Sequence, residues 1–334
     1  MMTTTDPRVK LLLNWLQQDL ALPFVSCIPA SSDASFRRYF RLQQQDTSYI
    51  VMDAPPNLED IQPFIQVAKL LEPAKVNVPH IYQQNSELGF LLLTDFGSNC
   101  LLDQLNSQTV NHLYGLAFDQ LFNLQTLTDS NHSGLPFYDQ ALLARELELF
   151  FDWFLQRLLG LSINSKLRDF ISHYLITMAL SQPTVCVHRD YHSRNIMLRP
   201  NGELGIIDFQ DAVIGPITYD LVSLLRDCYI TWEEEQIDNW LRNYYQRLIQ
   251  NNFIPVSWST FKQWFDFMGI QRHLKAIGIF SRLHLRDQKS GYLADIPRTL
   301  TYVINVCEYY PELSEFKHYL MKNVLPLNIT QLSD

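Results

Sequence analysis

Apolar positions change their period along this chain, and the change separates two sets of expected elements. Near the start, Leu12, Trp15, Leu16 and Leu20 recur at helical spacing and predict an amphipathic helix packed on the body. Ser35–Leu42 and Tyr49–Met52 read as strands joined by the polar run Gln43–Thr47, Asp60–Leu71 as a helix, and Leu88–Thr94 as an apolar strand. Asp95–Ser98 reads as a polar hinge. Beyond it the helical period dominates, over Gln108–Leu127, Gln140–Leu159, Leu167–Ser181, Tyr219–Tyr229, Glu233–Gln250, Trp258–Leu285 and Pro297–Tyr309. The stripe Trp258, Phe261, Phe265 and Met268 has helical spacing and reads as core. The pattern predicts an α+β chain with a small β-rich lobe over residues 1–97 and a larger, mainly helical lobe over 98–334.

One stretch interrupts the helices. An apolar run ending at Val187 leads into His188-Arg189-Asp190-Tyr191-His192-Ser193-Arg194-Asn195. Ile196–Arg199, the turn Asn201-Gly202 and Glu203–Ile207 then read as a hairpin whose exit is Asp208. Such a hairpin brings Asn195 and Asp208 together although they lie apart in sequence. Phosphoryl transfer needs a group that orients the acceptor hydroxyl and takes its proton, and oxygen ligands that hold magnesium against the gathering charge. Asp190 is the expected base, with Asn195 and Asp208 the expected magnesium ligands. His-x-Asp-x4-Asn alone would arise by chance in roughly one chain in thirty of this length. The apolar run before it and the hairpin with Asp-Phe after it supply the context that a short motif lacks. Asp95-Phe96-Gly97 matches a magnesium-binding triplet of protein kinases, but it precedes the loop instead of following it. Asp208-Phe209-Gln210 therefore takes the metal role.

Composition narrows the partners. The chain has 334 residues, 47% hydrophobic and 18% charged, which suits one large globular protein or two lobes sharing a cleft. A net charge of -9 leaves no basic footprint for nucleic acid. The five cysteines are odd in number, dispersed and without Cys-x-x-Cys spacing, which argues against a disulfide framework or structural zinc. Leu11–Leu13 is followed by Asn14, Gln17, Gln18 and Asp19, too short and polar a run for a signal or membrane segment. A cytoplasmic setting without membrane contact is expected.

Taken together, these residues resemble the aminoglycoside phosphotransferase and choline kinase family, whose fold is similar to that of protein kinases. Within it, Ser32–Phe40, Val51–Pro56, the loop Val187–Asn195, Asp208–Val213 with Gly215–Asp220, and Gln271–Lys275 resemble a bacterial subgroup. That subgroup phosphorylates the anomeric hydroxyl of N-acetylmuramate and N-acetylglucosamine in cell-wall sugar recycling. The resemblance implies ATP as co-substrate, magnesium, and an amino sugar as acceptor. It also implies that Ser32–Arg38 covers the nucleotide phosphates, with Ser32, Ser35, Arg38 and Asp95 on the nucleotide side. His188 and Asp220 would be structural, Asp220 as an acid bracing the catalytic loop. Met52 stands where the wider kinase pattern has a phosphate-pairing lysine. Arg37, Arg38 and Arg41 are the candidates to replace it, and strand alternation puts Arg38 on the face opposite Arg37 and Arg41. Arg38 is the preferred substitute. For the sugar, Asp211 and Arg272 are the leading contacts, with Tyr191 and Arg226 beside them; the lactyl carboxylate of muramate favours an arginine.

Two other readings remain. Another small alcohol, such as an aminoglycoside, a choline-like amine or another sugar, would keep the same catalytic residues. A pseudokinase binding module would not need them, since a scaffold has no use for two magnesium ligands and a base.

Overall fold

The computed structural model describes residues 6–32, 36–127 and 134–329. In chain order the elements are α1 (Pro7–Asn14), β1 (Ser26–Ser32), β2 (Arg38–Gln43), β3 (Ser48–Asp53), α2 (Gln62–Leu71), β4 (Ile81–Asn85), β5 (Phe90–Thr94), α3 (Leu101–Gln104) and α4 (Val110–Gln125). There follow α5 (Gln140–Leu149), α6 (Ser165–Leu180), β6 (Thr184–Val187), β7 (Ile196–Leu198), β8 (Leu204–Ile206), β9 (Val213–Pro216), α7 (Tyr219–Leu225), α8 (Glu234–Gln250), α9 (Trp258–Asp287), α10 (Ile296–Tyr309) and α11 (Ser314–Tyr319). Among the described residues, no helix is long and apolar enough to cross a membrane.

These elements form two compact units. The first takes in the described residues up to Asn123 together with Asn195–Asp211; the second takes in Leu124–Arg194 and the chain from Ala212 onward. This division departs from a boundary at residue 97, which follows the change in hydrophobic period. Contacts draw later segments into the first unit: Asn77 donates to the Leu204 carbonyl at 3.0 Å, its own amide donates to Gln120 of α4 at 2.8 Å, and Leu198 donates to the Asn99 carbonyl at 2.9 Å. α3, α4 and the β7–β8 hairpin thereby join the sheet.

In the first unit an antiparallel sheet runs in the order β1-β2-β3-β5-β4. Register puts Phe40, Leu42, Val51, Phe90 and Leu92 on one face, where they pack with Val9, Leu12, Trp15 and Leu16. Each such side chain contributes about 1.5–3 kcal/mol on burial. Asp6 starts α1 by accepting from the Arg8 amide at 2.9 Å, with Pro7 in the first turn. The other face carries Tyr39, Arg41, Ile50, Met52, Leu91 and Leu93. β1 and β4, which the periodicity does not predict, are the edge strands. β1 contains Pro29 and β4 is Ile-Tyr-Gln-Gln-Asn, sequences an edge tolerates and a central strand does not.

In the second unit the 30-residue α9 is the axis, with Phe261, Phe265, Ile270, Leu274 and Ile277 fully buried along it. Gly278 allows the closest approach: a Cβ there would lie 2.3 Å from the Leu149 carbonyl carbon. β6 pairs antiparallel with β9, Val187 opposite Val213 and Thr184 opposite Pro216, so the loop after β6 starts beside the beginning of β9.

Candidate active site

Two buried carboxylates shape the loop from His188 to Arg194. Asp220, in the first turn of α7, accepts from the His188 amide at 2.6 Å and the Arg189 amide at 3.0 Å. Asp227, just beyond α7, accepts from the amide and hydroxyl of Ser193 at 2.9 and 2.6 Å and from the Tyr229 amide at 2.9 Å. The loop is clamped at both ends by one short helix. That clamping sustains a left-handed backbone at Arg189, φ 77°, a conformation costing about 1 kcal/mol in a residue with a side chain. The His188 ring accepts from the Asp190 amide at 3.3 Å.

Asp190 is the carboxylate this loop presents. Its burial opposes ionisation, but Lys275, His192, Arg272 and Arg189 outweigh burial and bring its pKa down to about 2. Lys275, from α9, lies 3.0 Å from the Tyr219 hydroxyl and 3.1 Å from Glu146, and Arg189 pairs with the same Glu146 at 2.6 Å. An ionised carboxylate held among cations can orient a hydroxyl and receive its proton once the oxygen has begun to transfer. Burial dominates at Asp220 and pushes its carboxyl up to about 7 against its two amide hydrogen bonds.

The hairpin in the first unit holds a second group. β7 and β8 pair Ile196 with Ile206 and Leu198 with Leu204, and the Ile207 amide donates to the Asn195 carbonyl at 3.0 Å. Asp208, with φ 65°, turns its side chain to Asn195, whose Nδ2 donates to Oδ2 at 3.3 Å. Gln210 Nε2 donates to the other carboxylate oxygen at 2.8 Å, and Gln210 Oε1 is buried without a partner. Phe209 is fully buried against Phe64, ring centroids 4.6 Å apart, which anchors the segment. One carboxylate, two amide oxygens and an unsatisfied buried oxygen among them suit a hard cation. Magnesium keeps waters and substrate oxygens in its shell, so a small protein ligand set fits it.

Other expected site residues are placed differently. Arg38 projects from the sheet face opposite Met52, where Asp53 takes its Nε at 3.0 Å and Asp6 also pairs with it. It braces α1 against the sheet and does not stand in for the lysine expected at Met52. Arg41 is on the Met52 face, and it grips Asp95 at 2.7 and 3.0 Å and the Gly97 carbonyl at 2.7 Å. Asp95 is thus a buried brace for the turn that follows β5, with a carboxylate not open to a nucleotide. Burial raises its carboxyl, and Arg41, Ser48 and the Gly97 amide more than offset that. Ser32 ends β1 opposite Arg38, and Ser35 lies outside the described residues.

On the sugar side, Arg226 is not available: it is buried and pairs with Asp266 at 2.9 Å and with Glu234. Tyr191 is 1% exposed, its ring edge-on to His188 at 5.8 Å, so it is core and not a stacking surface. Asp211 is exposed and Arg272 buried. Sequence reasoning did not single out Lys275, Glu146 or Arg189. Lys275 and Arg272, three apart on α9, share a helix face, a spacing that periodicity shows but cannot connect to Asp190.

Fold and site define a phosphotransferase. Residues 26–251 match the phosphotransferase enzyme family, and the chain belongs to it. The fold is the protein-kinase-like one of a choline kinase from Streptococcus pneumoniae, with a TM-score of 0.65, 14% identity and coverage of 89% of this chain and 99% of that one. A Plasmodium vivax ethanolamine kinase superposes with a TM-score of 0.66 at 12% identity over 90% of each chain. Closer in sequence is the N-acetylmuramate/N-acetylglucosamine kinase of Pseudomonas putida, 43% identical over 326 residues, 93% of this chain and 95% of that protein. The enzyme of the same name from Neisseria meningitidis is 40% identical over 325 residues, 94% of this chain and 95% of that protein.

Proposed function

We propose that this protein transfers the γ-phosphoryl group of ATP to the anomeric hydroxyl of N-acetylmuramate and N-acetylglucosamine, giving sugar 1-phosphates for cell-wall recycling in the cytoplasm. What carries the reading is 40–43% identity, kept over 93–94% of the chain, to kinases named for those two sugars. The catalytic loop supports the phosphoryl-transfer part of it independently. Asp190, ionised and surrounded by cations, is the base that orients the acceptor hydroxyl. Asn195 and Asp208 would hold magnesium, with Gln210 orienting Asp208; the ion, when bound, neutralises charge on the phosphoryl oxygens. Ser32 to Ser35, and residues 1–97 as a whole, are assigned to covering the nucleotide. Asp211 is assigned to the sugar hydroxyls.

The test is the identity of the phosphorylated hydroxyl. Both sugars should drive ATP consumption and yield a 1-phosphate by NMR, and both methyl glycosides of N-acetylglucosamine should be inert because the accepting oxygen is blocked. Phosphate at C6, or turnover of the glycosides, would overturn the assignment. Turnover of an aminoglycoside or choline-like amine with no amino-sugar turnover would replace the acceptor with an amine, and ligand binding without any turnover would leave a pseudokinase.

A further inference from the structure

We propose that Arg272 is the residue that selects N-acetylmuramate, its guanidinium pairing with the lactyl carboxylate that N-acetylglucosamine lacks. The inference rests on the amino-sugar kinase reading and assigns one residue of its acceptor site.

Two other arginines of the second unit, half-buried Arg189 and buried Arg226, are matched with anions. Arg189 has Glu146 at 2.6 Å, and Arg226 has Asp266 at 2.9 Å as well as Glu234. Arg272 is 5% exposed, yet no carboxylate among the described residues comes within ion-pair distance of it. Its Nη1 reaches only the Cys228 sulfur, at 3.5 Å, and its Nε is buried with no partner. A guanidinium has five N–H donors, and thiol sulfur is a weak acceptor. Burial opposes the charge of Arg272, and the fields of Cys228, Tyr219, Asp227 and Asp190 sustain it, yet neither of the two carboxylates fills its guanidinium fork, so donors remain for an anion from outside.

The neighbouring carboxylates do not fill the role. Asp227 is engaged by Ser193 and Tyr229, and Glu146 by Arg189 and Lys275. Asp190 feels Arg272 as one of several cations, which places the guanidinium near the base without giving it a direct partner. The two sugars differ by one group, a lactyl ether on the C3 oxygen ending in a planar carboxylate. With the C1 hydroxyl at Asp190, that substituent lies across the ring. A planar carboxylate matches the guanidinium fork with two parallel hydrogen bonds.

The competing anion is the transferred phosphoryl group, and kinetics separate the two. In Arg272→Met, which removes the charge and keeps an unbranched side chain of similar length, the ratio of kcat/KM for N-acetylmuramate over N-acetylglucosamine should fall about 10- to 150-fold, mainly through KM. Arg272→Lys, which keeps the charge but loses the fork, should lower the ratio by a smaller factor, and it carries the test if the methionine variant does not fold. Calorimetry without nucleotide should show weakened N-acetylmuramate binding in both. Equal losses for the two sugars, concentrated in kcat, would assign Arg272 to the phosphoryl group and overturn the proposal, as would an unchanged ratio. Wild-type turnover of N-acetylglucosamine alone would overturn this inference while leaving the kinase reading intact; turnover of neither sugar would sink both.

Discussion

Asp190 and Asp208 stand in different surroundings, which suit the different roles proposed for them. Asp190 sits among Lys275, His192, Arg272 and Arg189, which keep it charged against its burial. Asp190→Asn should keep the loop, since the Asp220 and Asp227 clamps are untouched, while turnover falls about a hundred- to ten-thousandfold. A variant with more than about a tenth of wild-type turnover would place the base elsewhere. Asp208 shares its carboxylate between Asn195 and Gln210 beside an unsatisfied amide oxygen. Asp208→Ala should therefore lose magnesium-nucleotide affinity in calorimetry by more than Asn195→Ala, a charged oxygen holding the ion more strongly than an amide. Equal affinities in wild type and the Asp208 variant would remove it from the metal site.

At the scale of elements, two helices do most of the positioning. α7 is only seven residues long, but its first turn and its exit supply both loop clamps. α9 supplies Lys275 and Arg272 and depends on Gly278 to reach its depth. In Gly278→Ala, better helix propensity contributes about 1 kcal/mol, but the new methyl meets the Leu149 carbonyl carbon at 2.3 Å and its oxygen at 2.5 Å. Backbone cannot rotate away as a side chain can, so the clash wins. The expected outcome is a net loss of about 1–3 kcal/mol in denaturant unfolding, accompanied by lower turnover as α9 shifts. An alanine variant as stable as wild type would show that α5 and α9 are not in such close contact.

For the whole molecule, pH acts through buried carboxylates of opposite sense. Asp190, near 2 when folded, contributes stability that is present above the ordinary aspartate range and lost as pH falls through about 2. Asp220 behaves oppositely: with its pKa pushed up to about 7, the folded state holds the proton that the unfolded chain releases. Its contribution is complete below about pH 4 and is lost as pH rises through 7. Wild-type stability measured relative to Asp220→Asn should therefore decline between pH 5 and 8, with denaturant unfolding as the measure. A difference that stays level or grows would mean that Asp220 is ionised throughout that range.

Local order was enough to settle much of this protein. The hairpin from Ile196 to Ile206 follows from two short apolar runs around Asn-Gly, and it alone brings Asn195 to Asp208, because a turn and its strands are determined by neighbouring residues. Helices α4 to α10 were legible for the same reason, and the motif spacing located Asp190. Tertiary structure decided what depends on register and on distant partners. Alternation showed that Arg38 and Arg41 face opposite ways, but only the pairing of β2 with β3 showed which face Met52 shares, and that a buried Asp53 claims Arg38. The clamps that Asp220 and Asp227 place on His188 and Ser193, and the approach of Lys275 and Arg272 to Asp190, join residues thirty or more positions apart, which no local pattern encodes. Arg226 and Arg272 look alike as sequence. One makes ion pairs with Asp266 and Glu234 and the other makes none with the carboxylates near it, a difference set by how α7, α8 and α9 pack.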